Sequence, residues 1–179
     1  KTVVGLYAAL LAVANKHQVA VMAPTEILAG QHFNSMERYL EGSQVKRLLI
    51  TGGLTGKKRR AQLEQIQAGE VDIVVGTVAL LQQDIEFKSL GLVVVDEQHK
   101  FGVEQRAQLR KQDSAHCLVM TATPIPRTLA MTAFGDLDCS VIRHAPPGRG
   151  EIVTRQVAAE NRDQAFAFIR ARLQAGKQA

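Results

Sequence analysis

The residues best equipped for chemistry in this 179-residue chain lie in Val93-Val-Val-Asp-Glu-Gln-His99. An apolar strand there delivers two adjacent carboxylates and a histidine to the carboxyl edge of a sheet. Burying carboxylates is costly unless a cation or hydrogen-bond donors compensate. The arrangement suits a magnesium nucleotide, with Asp96 holding Mg²⁺ and Glu97 orienting or deprotonating the attacking water. The same pair also suits the cap of a following helix. Lys1-Thr2 opens a helix and matches the last two positions of a phosphate-binding loop, G-x-x-x-x-G-K-[ST], where the lysine reaches phosphates and the hydroxyl binds Mg²⁺. The loop glycines are not in the sequence, and two ordinary exposed residues is the competing reading. Thr121-Ala-Thr123 enters a turn fixed by Pro124 and Pro126. Hydroxyls there can bond a carboxylate or phosphate, or cap a helix.

Three further turns repeat one pattern after successive strands: Pro24-Thr25-Glu26, Thr51-Gly52-Gly53 and Gly76-Thr77. Each offers backbone N–H groups and a hydroxyl, which suits a phosphodiester backbone without reading bases, and equally suits a helix cap. Lys57-Lys58-Arg59-Arg60 is the densest basic run. It reads either as a solvated helix face or as an electrostatic contact to nucleic acid. His17, His32, His116 and His144 have no partner spacing and receive no chemistry. The two Tyr and six Phe are too scattered to make a base-stacking platform.

These residues need a scaffold that brings strand ends together. Val19–Met22, Val45–Ile50, Val71–Val75, Leu90–Val95 and His116–Thr121 read as apolar strands. Helices are expected over the first fourteen residues and over 26–40, 57–68, 103–111 and 127–134. Near-continuous Val, Ile and Leu strands alternating with amphipathic helices predict an α/β fold, a mostly parallel sheet with helices on both faces. Ligands in such sheets bind at the carboxyl ends of the strands. Further strands are expected at 138–142 and 151–157 and a helix at 161–175. Ala145-Pro-Pro-Gly-Arg-Gly150 reads as a linker between domains. The helix that begins at residue 1 and the Gly that closes the last helix read as a segment of a longer protein. Hydrophobic residues at 46%, charged residues at 22% and a net charge of +5 describe a globular chain that permits a polyanion partner without demanding one. No apolar run reaches the roughly 18 residues of a membrane span, and no signal peptide is apparent. Cys117 and Cys139 lack metal-type spacing and read as reduced, buried thiols of a cytoplasmic protein rather than a disulfide.

Taken together, Lys1-Thr2, Ala23-Pro-Thr-Glu-Ile-Leu-Ala29 with Gln31-His32, Gly76-Thr77, Asp96-Glu-Gln-His-Lys-Phe-Gly-Val103 with Gln105-Arg106, and Thr121-Ala-Thr-Pro-Ile-Pro-Arg-Thr-Leu-Ala130 resemble superfamily 2 helicases. More narrowly they resemble the RecG family, bacterial ATP-dependent DNA helicases that remodel stalled forks and Holliday junctions. Gly135-Asp-Leu-Asp138 and Pro146-Pro-Gly-Arg149 fit the same family. The likeness runs along essentially the whole chain, and transcription-repair coupling factor shares much of it. The resemblance implies a RecA-like P-loop NTPase domain, the first of two motor domains, over 1–144. A linker follows at 145–150, and 151–179 opens the second motor domain. It implies ATP and Mg²⁺ as cofactors. Lys1, Thr2, Asp96, Thr121 and Thr123 would then serve the nucleotide, with Thr2 and Asp96 on the metal. Asp96, Glu97 and His99 would be the catalytic and coupling group. Pro24, Thr25, Glu26, Thr51, Gly52, Gly76 and Thr77 would line a DNA track, with Lys57, Lys58, Arg59 and Arg60 beside it. Implied partners are branched or duplex DNA and the wedge and second motor domains of the same polypeptide, with no membrane partner. Val78 and Gly30 depart from the family's usual histidine and acidic residue, and Arg143-His144 from its usual acidic pair. A nucleic-acid-binding module without ATPase activity and an RNA helicase are the competing functions.

Overall fold

In the computed structural model, residues 1–53, 56–81, 84–97, 115–122, 138–142 and 153–177 are described. The chain divides into two compact units, Lys1–Ala130 and Met131–Ala179. Five strands of the first unit form one sheet: β1 (Gln18–Met22), β2 (Arg47–Ile50), β3 (Ile73–Gly76), β4 (Leu90–Asp96) and β5 (His116–Met120). All pairings are parallel and the order is β2-β3-β1-β4-β5. β1 and β3 are buried at every position, which is why they read as unbroken apolar runs rather than alternating ones. β2 and β5 form the two edges.

Among the described residues, three helices cover the sheet: α1 (Thr2–Ala14), α2 (Glu26–Tyr39) and α3 (Gly56–Ala68). Leu6 and Ala9 of α1 and Ala29 and Met36 of α2 pack with Val19, Val21, Ile73, Val75, Leu92 and Val94 on one face. Ile66 of α3, Leu80 of the 3₁₀ turn Val78–Leu81 and Ile85 pack with Ala20, Met22, Val74, Val93 and Val95 on the other. Alternate residues of each strand thus serve opposite layers, as the period of two requires. Gly5 lets α1 approach closely, because a Cβ there would meet the Met120 side chain at 3.2 Å and Val94 at 3.5 Å.

One buried polar residue pins the amino end of the sheet. Gln18, 5% exposed, donates from Nε2 to Ile66 O and Val71 O, and its Oε1 accepts from Ser89 N–H. Its polar side-chain atoms are therefore satisfied, so burial carries no desolvation penalty left unmet. Arg47 ties β2 to the end of α2, donating to Glu37 Oε1 at 2.6 Å and to Leu40 O at 3.1 Å.

The second unit contains a short 3₁₀ turn, Ala159–Asn161, leading into a helix, Arg162–Gln174. The strands expected at 138–142 and 151–157 are not found: the described residues of both stretches carry no ladder. A strand exists only through a paired neighbour, and Val141, Ile142 and Val153 are instead exposed. Both cysteines are free, but exposed rather than buried as expected. Cys117 lies on the edge strand β5, where desolvation still pushes its thiol pKa upward. The helices expected at 103–111 and 127–134 and the linker at 145–150 lie outside the described residues. Among the described residues, no helix is long and apolar enough to cross a membrane.

Candidate active site at the carboxyl edge of the sheet

β4 ends on Asp96, and Glu97 N–H donates to Met120 O at 2.8 Å, one more rung toward β5. Glu97 itself has a φ of +51°, unusual for a residue with a side chain. Such a backbone costs about 1–3 kcal/mol and persists where surrounding contacts hold it. Three donors converge on the Glu97 carboxylate. Lys1 Nζ lies 3.2 Å from Oε1, the Thr121 hydroxyl donates to Oε2 at 3.3 Å, and Ala122 N–H donates to Oε1 at 3.2 Å. The side chains of Lys1 and Glu97 are 38% and 18% exposed, so water screens the ion pair and its stabilising value is small.

Asp96 points to the layer of α1 and α2. There His32 Nε2 meets its Oδ2 at 2.8 Å, with both side chains at most 15% exposed. Oδ1 of Asp96 and the Thr2 hydroxyl have no partner among the described residues. No three His, Cys, Asp or Glu side chains of the described residues gather into a metal centre. A cation here would take its remaining ligands from phosphate and water, which is the habit of Mg²⁺ in nucleotide sites. The donor set therefore fits a magnesium nucleotide: one oriented carboxylate, one hydroxyl, one ammonium.

The sequence reading of Lys1, Asp96, Glu97 and Thr121 places them at one edge, and the structure brings Lys1, Glu97 and Thr121 into direct contact. His99 and Thr123 lie outside the described residues. His32, given no chemistry from sequence, is the residue that reading missed. The signal was its helix: α2 follows β1, and β1 neighbours β4, so one turn of α2 lies over the end of β4.

The turns after β1, β2 and β3 share the same edge. Thr25 caps α2, its Oγ1 accepting from Leu28 N–H at 3.3 Å. Glu26 Oε1 accepts from Gly52 N–H at 2.7 Å and so joins the first turn of α2 to the turn after β2. Gly76 is buried, and a Cβ there would stand 2.9 Å from both Ile50 O and Leu80 Cγ. Thr77 Oγ1 accepts from Ala79 N–H at 3.4 Å and starts the 3₁₀ turn. The basic run divides in two. Arg59 pairs with Asp84 at 2.7 Å and Arg60 with Glu64 at 2.9 Å, whereas Lys57 and Lys58 are exposed and have no partner among the described residues.

A parallel sheet with helices on both faces, presenting adjacent carboxylates beside a lysine and a threonine that open a helix, is the architecture of a nucleotide-driven motor, and the chain belongs to the DEAD/DEAH box helicase family, whose model matches residues 1–132. Within that class its sequence lies near RecG. It is 50% identical over 174 residues to the ATP-dependent DNA helicase RecG of Pasteurella multocida, covering 94% of this chain and 25% of that protein. It is 49% identical to RecG of Bacillus subtilis over 180 residues, covering the whole chain and 26% of the relative. The chain thus spans about a quarter of the length of these curated relatives. A solved structure of RecG bound to a three-way DNA junction superposes with a TM-score of 0.75 at 37% identity, covering 90% of this chain and 22% of that one. A DEAD box protein of Methanococcus jannaschii shares the fold, with a TM-score of 0.51 at 22% identity over 67% of this chain and 35% of that one.

Proposed function

We propose that this chain is the first motor domain of a RecG-type ATP-dependent DNA helicase, a translocase that remodels branched DNA in recombination and repair within a longer, cytoplasmic polypeptide. The observation that carries the reading is the convergence of Lys1 and Thr121 on Glu97, next to an Asp96 held by His32. ATP bound with Mg²⁺ would supply the phosphoanhydride whose cleavage drives the motor. Asp96 Oδ1 and the Thr2 hydroxyl are the groups on hand for the cation. Lys1, which lies on Glu97 in this structure, would be the group on hand for the phosphates, and Glu97 would be the carboxylate that orients or deprotonates the attacking water. Thr121 and Ala122 stay on Glu97 and pass its position to the turn after β5, where Thr123 lies; His99 would serve the same coupling.

In this reading residues 1–144 form the domain, 145–150 the linker and 151–179 the opening of the second motor domain. Pro24, Thr25, Thr51, Gly52 and Thr77, with Lys57 and Lys58, form the side that meets the DNA backbone. The test is a chimera in which this chain replaces the matching quarter of Bacillus subtilis RecG. It should release phosphate from ATP in response to branched DNA. A folded chimera without DNA-dependent phosphate release overturns the reading.

A further inference from the structure

Glu26, next to Thr25 on the proposed DNA side, is the one acid in the DNA track that the resemblance implies, and a carboxylate beside a phosphodiester backbone repels it. The structure gives that carboxylate a specific task. Its Oε1 takes the Gly52 N–H at 2.7 Å, a short bond of the charge-assisted kind. It also sits in the first turn of α2, where the helix dipole favours an anion. A carboxylate oxygen and a non-bridging phosphate oxygen are equivalent acceptors for a backbone N–H, and one amide holds one of them at a time. Gly52 has no side chain to shield this N–H, and a Cβ there would come within 3.0 Å of Glu26 Oε1. Glu26 is exposed, and the α2 cap rests on Thr25, so the side chain can swing away with the helix start intact.

We propose that Glu26 is a built-in stand-in for a DNA phosphate: it occupies the Gly52 amide in the DNA-free chain and must be displaced when the backbone binds. This rests on the reading of that edge as a DNA surface. The carboxylate makes engagement of the turn after β2 weaker, so the motor lets go of DNA more readily than its amides alone would permit.

The experiment measures binding of a fluorescein-labelled duplex to the full 179-residue chain by anisotropy, across salt concentrations, for wild type, Glu26→Gln, Glu26→Ala and Glu41→Gln. Glu41 is exposed, lies just past the carboxyl end of the same helix with no partner among the described residues, and controls for net charge. Both Glu26 variants should bind at least about fivefold tighter at low salt, while Glu41→Gln stays within about twofold. In parallel, the Gly52 amide proton resonance of the DNA-free chain should move upfield in Glu26→Ala. If the wild-type chain binds DNA and the Glu26 variants match Glu41→Gln, the stand-in is overturned with the DNA surface intact. Weaker binding by Glu26→Ala makes Glu26 a strut and overturns it equally, as does a Gly52 resonance indifferent to the substitution. Absence of DNA binding by every variant removes the DNA surface and the stand-in with it.

Discussion

Glu97 combines a left-handed backbone with three donors on its carboxylate, so its position is fixed from both ends. In the chimera with Bacillus subtilis RecG, Glu97→Gln should retain nucleotide binding and lose about 10²–10⁴-fold in turnover, the usual contribution of a positioned proton acceptor. The amide keeps the shape and the Thr121 contact but cannot take a proton. Single-turnover phosphate release alongside nucleotide binding checks this, and turnover within threefold of the unsubstituted chimera would remove Glu97 from the chemistry. The carboxylate pair was legible in the sequence because an apolar strand ending in Asp-Glu leaves few inexpensive uses for two buried charges. His32 was not legible, because one histidine on an amphipathic helix carries no spacing of its own. Only the sheet order puts it 2.8 Å from Asp96. Gly76 shows the converse limit: as a Gly-Thr pair at a strand end it looks like a phosphate contact, yet its bare Cα is demanded by Ile50 O and Leu80. Gly76→Ala should therefore destabilise the chain by about 1–3 kcal/mol through overpacking, read as a fall in the urea midpoint.

At the scale of elements, α3 carries four consecutive cations that sequence treats as a unit and the structure separates. Arg59 reaches Asp84, across to the segment leading into β4, and Arg60 pairs within the helix with Glu64. Among the described residues, Lys57 and Lys58 have no partner. Neutralising both lysines should flatten the salt dependence of duplex binding by roughly 2, about 0.9 per lost contact, whereas neutralising both arginines should change that slope by less. The arginine variant should instead show a modest loss of stability, since partly exposed pairs contribute about 0.2–1 kcal/mol each. Equal slopes for the two double variants would mean that the ion pairs open freely on DNA. The five strands of the first unit were readable because double burial forces continuous Val, Ile and Leu. The stretches at 138–142 and 153–157 carry only two of Val, Ile and Leu in five residues, and the described residues there join no ladder.

Two crossovers of the described residues obey one rule of handedness, and that rule bears on where further chain can join the sheet. From β1 through α2 the path runs toward β2, on the face that α1 and α2 share; from β2 it returns through α3 on the opposite face. Both steps are right-handed crossovers, the hand found in about 98% of such units. α1 lies on the same face as α2 and feeds β1, so a parallel strand placed ahead of α1 has to sit on the β4 side of β1. Both sides of β4 are taken, by β1 and β5. The outer edge of β5 is the position left, and the close approach of Gly5 to Met120 already sets α1 toward it. The curated relatives, about four times as long as this chain, make the experiment direct. Extending the chain ahead of Lys1 with the segment that precedes the match in Bacillus subtilis RecG should slow amide hydrogen exchange in His116–Met120 and leave the outer edge of Arg47–Ile50 unchanged. Protection appearing on β2 instead would require a left-handed crossover through α1, and would mean that the order of the sheet does not follow from its covering helices.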